Sequence, residues 1–262
     1  MRQLQIIQAL STFFMRSLLK QKASYVLVIL VVLMLVLAYM ASDINIGKTY
    51  KLFEDLLLGS QMFLLHLMAI FYAFEFLQKE RLNGLFILPL STSLNRRAYL
   101  LAVFLAQLEL IGLLGVIFIG IDVIALWLVE GSVAGIVLLQ VLLYVLSAML
   151  LSFLVLMLSQ YVSIMNSMIY AVTLFMIGGG LDELYVYVFY MHPELELQTM
   201  TNFLYYGFIN FSLFDMQSIV VNRSIFESHK VIEPMVYFFI LSVILFSLAS
   251  MKFSKRVLKT GE

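Results

Sequence analysis

Residues 78–99 read QKERLNGLFILPLSTSLNRRAY and form a polar interruption between two long apolar stretches of the chain. Against the single acid Glu80, this segment contains four basic residues: Lys79, Arg81, Arg96 and Arg97. Short loops rich in lysine and arginine remain on the cytoplasmic side of a membrane. Residues 78–99 are therefore predicted to face the cytoplasm, which sets the orientation of the whole chain in the membrane.

The middle of this segment is more apolar than a solvated connection between two spans needs to be. Leu82, Leu85 and Phe86 recur at helical spacing, and Leu88 extends the apolar run up to Pro89. A short amphipathic helix of this kind suits docking into a groove on another protein. The alternative is a helix that lies on the membrane surface, and the periodicity alone does not choose between the two.

The composition is that of an all-α integral membrane protein. Of the 262 residues, 63% are hydrophobic and 12% are charged, and the mean hydropathy is +1.03. Soluble domains are about 45–50% apolar and about 25% charged. The chain has no cysteine, which excludes disulfides and thiolate metal sites. The net charge of zero gives no reason to expect a nucleic-acid partner.

A single transmembrane domain, 1–262, has room for six helical spans of about 20 residues each. We assign the spans to 23–42, 56–78, 98–124, 132–158, 164–180 and 234–254. Residues 181–233 are rich in tyrosine and phenylalanine, which favours short helices at the outer interface of the membrane. Glycines 178–180 predict a helix break just before that segment.

Residues 1–22 precede the first span and contain an amphipathic helix over about 4–20. The apolar face is formed by Ile6, Ile7, Leu10, Phe13 and Phe14. The polar face is formed by Gln5, Gln8, Thr12 and Arg16. This pattern predicts a helix lying flat in the cytoplasmic interface. The alternative is an ordinary basic flank of the first span.

Within residues 78–99, Glu80 is followed by Gly84 and then by Leu88, Pro89, Leu90 and Ser91. This order resembles the loop after the second span in the type-2 ABC exporter permeases. The resemblance extends to the N-terminal elbow helix, the six spans and the outer short helices between spans five and six. It implies that 78–99 is a coupling loop whose helix contacts an ATPase through Glu80, Leu82, Gly84, Leu85, Phe86, Leu88 and Pro89.

The resemblance also implies the assembly and the cellular location. Two permease copies would join two cytoplasmic ABC ATPase subunits in a bacterial inner membrane. The ATPases would bind ATP and magnesium, and this chain would bind no cofactor and catalyse no reaction itself. Residues 181–233 would form an outer gate, and the direction of transport would be export. The identity of the cargo does not follow from the sequence.

Several polar residues within the spans are candidates for a substrate path: Glu109, Gln140, Tyr144, Asn166 and Tyr170. A carboxyl inside a membrane is costly, so Glu109 should face the protein interior or water. It either serves the path or a proton relay, or forms a structural hydrogen bond to a neighbour such as Gln140 or Tyr144. We prefer the structural role. His66 is expected to be a buried partner, because its helix has no second histidine at metal-ligand spacing.

Two other classes of function remain as alternatives. An ion-coupled secondary transporter would use Glu109 and Asp122, but thirteen residues separate them, or roughly 220° around a helix. They would therefore not form one site. A non-transporting chain that anchors an ATPase or a maturation complex is the other alternative.

Counting charges predicts that both termini and residues 78–99 face the cytoplasm. Twelve lysines and arginines lie in 1–22, 78–99 and 252–262, against four at Lys48, Lys51, Arg223 and Lys230. In this cysteine-free chain, Asn95→Cys should react with a membrane-impermeant maleimide only after the membrane is opened. Labelling of intact cells at that position would overturn the orientation.

Overall fold

A computed structural model of the protein describes residues 2–20, 22–43, 49–83, 96–131, 134–191, 197–222 and 229–256. Every regular element in these ranges is a helix, which confirms the all-α prediction. The long helices are α1 (Arg2–Leu19), α2 (Lys22–Asp43), α3 (Thr49–Asn83), α4 (Arg96–Glu130), α5 (Gly135–Leu158) and α6 (Ile164–Gly179).

Short helices follow α6 within the predicted outer segment. They are α7 (Leu181–Val186), a π-helical turn (Tyr187–Met191), α8 (Gln198–Gly207), a 3₁₀ turn (Ser212–Phe214) and α9 (Gln217–Asn222). The last helix is α10 (His229–Arg256). We call residues 197–222 the docked segment, because their contacts with the long helices define the site described below.

Five stretches of the described chain are long and apolar enough to cross a membrane. They are Lys51–Lys79, Arg97–Leu128, Gly135–Leu158, Ile164–Tyr190 and His229–Lys252. The first predicted span, 23–42, falls on α2, which is not among these five. Six spans therefore remain a prediction, whereas a multi-pass helical architecture follows from the five.

Helix boundaries differ from the predicted ones, most clearly in α3. The span predicted at 56–78 belongs to a helix of 35 residues, Thr49–Asn83, which is about 52 Å long. The polar residues at both its ends suggested connecting loops. Neither end contains a glycine or proline before the helix stops, so charged residues continue the helix rather than end it. Similarly, α10 begins at His229, five residues before the predicted start.

The break predicted at glycines 178–180 is small. Helix α6 ends at Gly179, and α7 begins at Leu181 with only Gly180 between them. The apolar stretch continues through this junction to Tyr190, so the span predicted to end at 180 extends into the segment assigned to the outer gate.

Helix α5 is the centre of the bundle and packs against α3, α4, α6 and α10. Leu143, Leu150 and Val155 on this helix are completely buried. At Gly115 of α4, an added Cβ would overlap a methyl group of Val145 on α5. A small residue at this position therefore allows the two helices to approach closely, as is common between membrane helices.

Helices α6 and α10 lie at the outside of the bundle. Large apolar side chains remain exposed on both, including Met165 and Ile169 on α6 and Phe239 and Val243 on α10. Because lipid tails are as apolar as these side chains, a membrane surrounding the bundle accounts for their exposure.

The N-terminal helix α1 packs against both α4 and α3. Its buried apolar side chains are Ile7, Phe14 and Leu18 in the described part of the helix. Ile6 and Phe13, which were predicted to share the same face, are instead exposed. The apolar face is thus wider than the contact with the bundle, and one edge of it remains open.

Phe14 is the central contact of α1. Its ring meets Phe76 of α3 edge-on at 5.2 Å and Tyr99 of α4 at 5.8 Å between ring centroids. It is 4% exposed, whereas the adjacent Phe13 is 57% exposed. One buried ring therefore connects α1 to the two helices that flank residues 84–95.

Phe14→Ala should destabilise the protein by about 3 kcal/mol, because truncating a buried phenylalanine leaves a cavity. Phe13→Ala is the matched control and should have a much smaller effect. Thermal unfolding in detergent micelles measures both. Equal losses in the two variants would show that α1 does not pack on α3 and α4 through Phe14.

Candidate functional site

The predicted coupling residues lie mostly outside the described part of the chain. These are Gly84, Leu85, Phe86, Leu88 and Pro89. Glu80 and Leu82 belong to the last turns of α3, where only the backbone is described. The structure therefore describes the helices on either side of this segment and leaves its docking role a prediction.

A hydrogen bond joins α1 to the end of α3 that precedes residue 84, in addition to the packing of Phe14. Lys79 Nζ donates a hydrogen bond of 3.2 Å to the carbonyl oxygen of Ser17 at the end of α1. This carbonyl is among the last four of a helix, which have no partner within the helix. A lysine there also complements the negative end of the helix dipole.

The predicted path residues do not come together in the described chain. Gln140 and Tyr144 are buried in α5, Asn166 and Tyr170 are exposed on α6, and Glu109 is half-buried on α4. The suggested hydrogen bond from Glu109 to Gln140 or Tyr144 is not observed. Both of those side chains bond to the docked segment instead, because their side of α5 faces it.

Gln140 holds the docked segment through both ends of its amide. Its Nε2 donates to the carbonyl oxygen of Phe214 at 3.1 Å, and its Oε1 accepts from the backbone nitrogen of Met216 at 2.8 Å. Both contacts are buried. A side chain that satisfies two backbone groups inside an apolar bundle is a structural clamp, since either group would be costly to leave unpaired.

Tyr144 extends this clamp to α3. Its hydroxyl donates to Gln217 Oε1 at 2.9 Å, and Gln217 Nε2 donates to Asp55 Oδ1 at 2.6 Å. Asp215 Oδ1 lies 3.4 Å from the same hydroxyl. A chain of hydrogen bonds therefore runs from α5 through α9 to α3.

Gly178 permits the docked segment to reach α6. Its carbonyl oxygen accepts a hydrogen bond of 3.2 Å from the backbone nitrogen of Phe211. An added Cβ at Gly178 would overlap the carbonyl oxygen of Ile209. Gly178 therefore permits a close backbone approach, in addition to lying at the predicted helix break, where α6 ends at Gly179.

Asn210 organises the turn of the docked segment and links it to α10. Its side chain accepts hydrogen bonds from the nitrogen and hydroxyl of Ser212, and its own backbone nitrogen donates to Tyr237 on α10 at 2.8 Å. The docked segment thus contacts α3, α5, α6 and α10 through named hydrogen bonds.

A polar cavity of about 290 Å³ opens beside the docked segment. Its acidic and basic lining residues are Asp182, Asp215, His229, Lys230 and Glu233. Charges of both signs line it, so it suits a polar molecule better than an apolar one. None of the five predicted path residues lines this cavity.

The interior of the bundle contains a set of hydrogen bonds between helices. His66 of α3 contacts Ser147 of α5 at 2.8 Å through Nε2, and its Nδ1 lies 2.6 Å from the carbonyl oxygen of Met62. His66 is therefore a buried hydrogen-bond partner, as expected. Within the described ranges, no three histidine or carboxylate side chains gather where they could hold a metal ion.

Gln107 connects its own helix, α4, to both α3 and α5. It donates to the carbonyl oxygen of Tyr72 on α3 at 3.4 Å and accepts from Ser152 of α5 at 3.2 Å. Gln61 of α3 donates to Asp122 of α4. Gln61, Gln107 and Ser152 were not among the residues predicted from the sequence. The signal available was the presence of amides inside apolar spans, which require partners there.

These features define a multi-pass membrane protein, helical throughout its described ranges, whose docked segment is clamped by hydrogen bonds and borders a polar cavity. A scan against models of known protein families finds none that matches the chain. A search of curated proteins likewise finds no match.

Gly178→Ala should loosen the docked segment, because the added methyl group overlaps a backbone oxygen that cannot move alone. Overpacking of this kind costs about 1–3 kcal/mol. Gly179→Ala is the matched control, since nothing lies within 4 Å of an added Cβ there.

Amide hydrogen exchange measures the effect of both variants. Exchange at residues 209–221 should accelerate in Gly178→Ala and remain unchanged in Gly179→Ala. Unchanged exchange in both variants would contradict the docking of Ile209 on α6.

Proposed function

We propose that this chain is the membrane-spanning permease subunit of an ABC transporter and exports its cargo by alternating access. The observation that carries the proposal is the packing of α1 across α3 and α4, the two helices that flank residues 84–95. Together with the sequence pattern of that segment, this packing supports an element that transmits force from a cytoplasmic partner.

Helix α3 supplies the mechanical connection in this proposal. Lys79 bonds to α1 near one end of the helix, and Asp55 bonds to Gln217 of the docked segment near the other. The two residues are 24 positions apart, or about 36 Å along a helix. Displacement of the 84–95 segment would therefore reach the docked segment through a single continuous helix.

The proposed assembly contains two copies of this chain and two ABC ATPase subunits in a bacterial inner membrane. ATP and magnesium would bind to the ATPases. Their closure would push residues 84–95 and switch the permease pair between inward-facing and outward-facing states. The docked segment would then act at the outer gate, with the polar cavity at the cargo exit.

The two alternatives differ from this proposal in ways that can be measured. An ion-coupled transporter based on Glu109 and Asp122 lacks a shared site, because Asp122 is paired with Gln61 while Glu109 is half-buried elsewhere on α4. A non-transporting anchor would bind the ATPase as the permease does, but ATP hydrolysis would not depend on cargo.

Phe86→Asp tests the coupling segment. If Phe86 is a hot spot of the ATPase contact, its loss should cost about 2 kcal/mol or more. That corresponds to roughly thirty-fold weaker association. Membrane insertion should be unaffected, because the residue lies between spans. Ser93→Asp adds the same charge outside the predicted docking face and serves as the matched control.

The measurement is co-purification with a co-expressed ABC ATPase subunit, followed by ATP hydrolysis in the purified complex. We expect loss of ATPase from Phe86→Asp and full recovery with Ser93→Asp. A full complement of ATPase with normal turnover in Phe86→Asp would exclude the coupling role. Normal binding without any effect of cargo on hydrolysis would favour the anchor.

A further inference from the structure

The contact between Gln61 and Asp122 is incomplete as a hydrogen-bonded pair. Gln61 Nε2 donates to Asp122 Oδ1 across the α3–α4 interface. The other two polar atoms of the pair, Gln61 Oε1 and Asp122 Oδ2, are buried and have no hydrogen-bond partner. Gln61 Oε1 can only accept a hydrogen bond. Asp122 Oδ2 can donate one only when the carboxyl carries a proton.

The cavity beside Gln61 offers its side chain no free donor. A cavity beside Gln61 is lined by α2, α3 and α4, and its walls are apolar apart from Gln61 and Ser60. The Ser60 hydroxyl is already used, because it donates to the carbonyl oxygen of Leu57 at 2.8 Å. None of the side chains lining this cavity is charged or titratable. The nearest acid along the same side of α3 is Glu54, two helical turns away.

The size of this cavity restricts what could complete the pair. Its volume is about 10 Å³. A single water needs at least about 10–15 Å³ together with two to four polar partners. The cavity beside Gln61 is therefore too small for a hydrated metal ion or a cargo molecule, whereas one water or a proton is small enough to complete the pair.

An ionised Asp122 would be costly here. Its side chain is completely buried within a candidate span, and its only described partner is one neutral amide. Buried charges in this setting cost several kcal/mol unless they are paired. A proton on Oδ2 removes the charge and also creates a donor on the carboxyl group that already accepts from the Gln61 amide. A carboxylic acid and a primary amide then form a ring of two hydrogen bonds.

We propose that Asp122 binds a proton in a membrane-buried site shared with Gln61, and that the resulting neutral acid–amide pair joins α3 to α4. Loss of the proton would place a negative charge against Gln61 Oε1 and break one of the two bonds. The joint between the helices therefore requires the proton. This inference does not rest on the proposed transport function.

Infrared spectroscopy of the intact protein in lipid at neutral pH tests the proposal directly. The carbonyl stretch of a protonated carboxyl is separate from carboxylate absorption. Labelling aspartate with ¹³C at the side-chain carboxyl shifts only aspartate bands and needs no variant. The chain has five aspartates, and Asp55, Asp182 and Asp215 are exposed in the described part.

We expect one isotope-sensitive band from a protonated aspartate in the unaltered protein. Asp122→Asn should remove it, and Asp182→Asn, at an exposed position, should leave it unchanged. Gln61→Met should retain the band but move it to higher wavenumber, because the carbonyl loses the amide donor.

Two results would overturn the proposal. If all isotope-sensitive aspartate absorption is carboxylate, Asp122 is ionised and holds no proton. If the band is present but does not move in Gln61→Met, the proton is not shared with Gln61. The first result needs no variant, so poor folding of Asp122→Asn leaves the test intact.

Discussion

The architecture depends on hydrogen bonds that join α3, α4 and α5 inside an apolar bundle. His66 bonds to Ser147 between α3 and α5, and Gln107 bonds to Ser152 between α4 and α5. Gln61 bonds to Asp122 between α3 and α4. Lipid supplies no hydrophobic force between membrane helices, so such bonds and close packing are what select one arrangement. Each pair among these three helices is therefore specified by its own polar contact.

This three-helix core determines where the peripheral elements attach. Helix α1 rests on α3 and α4 at one end, through Phe14. The docked segment rests on α3 and α5 at the other end, through Gln217 and Gln140. Because α3 belongs to both attachments and is one uninterrupted helix, the two ends of the molecule are mechanically related. A change in packing at either end must be accommodated by the same helix.

Polar residues of the bundle that are buried and hydrogen-bonded have a different role from those that are exposed or half-buried. Gln140, Tyr144 and His66 are buried and paired, so they hold the structure together. Asn166 and Tyr170 are exposed on α6, and Glu109 is only half-buried. Side chains of the second kind remain accessible to a partner, to lipid or to a cargo molecule. The distinction rests on which side of each helix faces the core.

The amino-acid sequence by itself determined that the chain is helical and rich in membrane-crossing stretches, because long apolar runs leave few other structures possible. It also located the short helices after α6 and the amphipathic character of α1. It misjudged the ends of α3, where charged residues continue the helix and no glycine or proline stops it before Asn83. Only the tertiary structure decided that Gln61 meets Asp122 and that Gln140 and Tyr144 clamp the docked segment rather than contact Glu109. The reason is physical: nearly every residue around these side chains is apolar, so local sequence does not indicate which faces of two helices will meet.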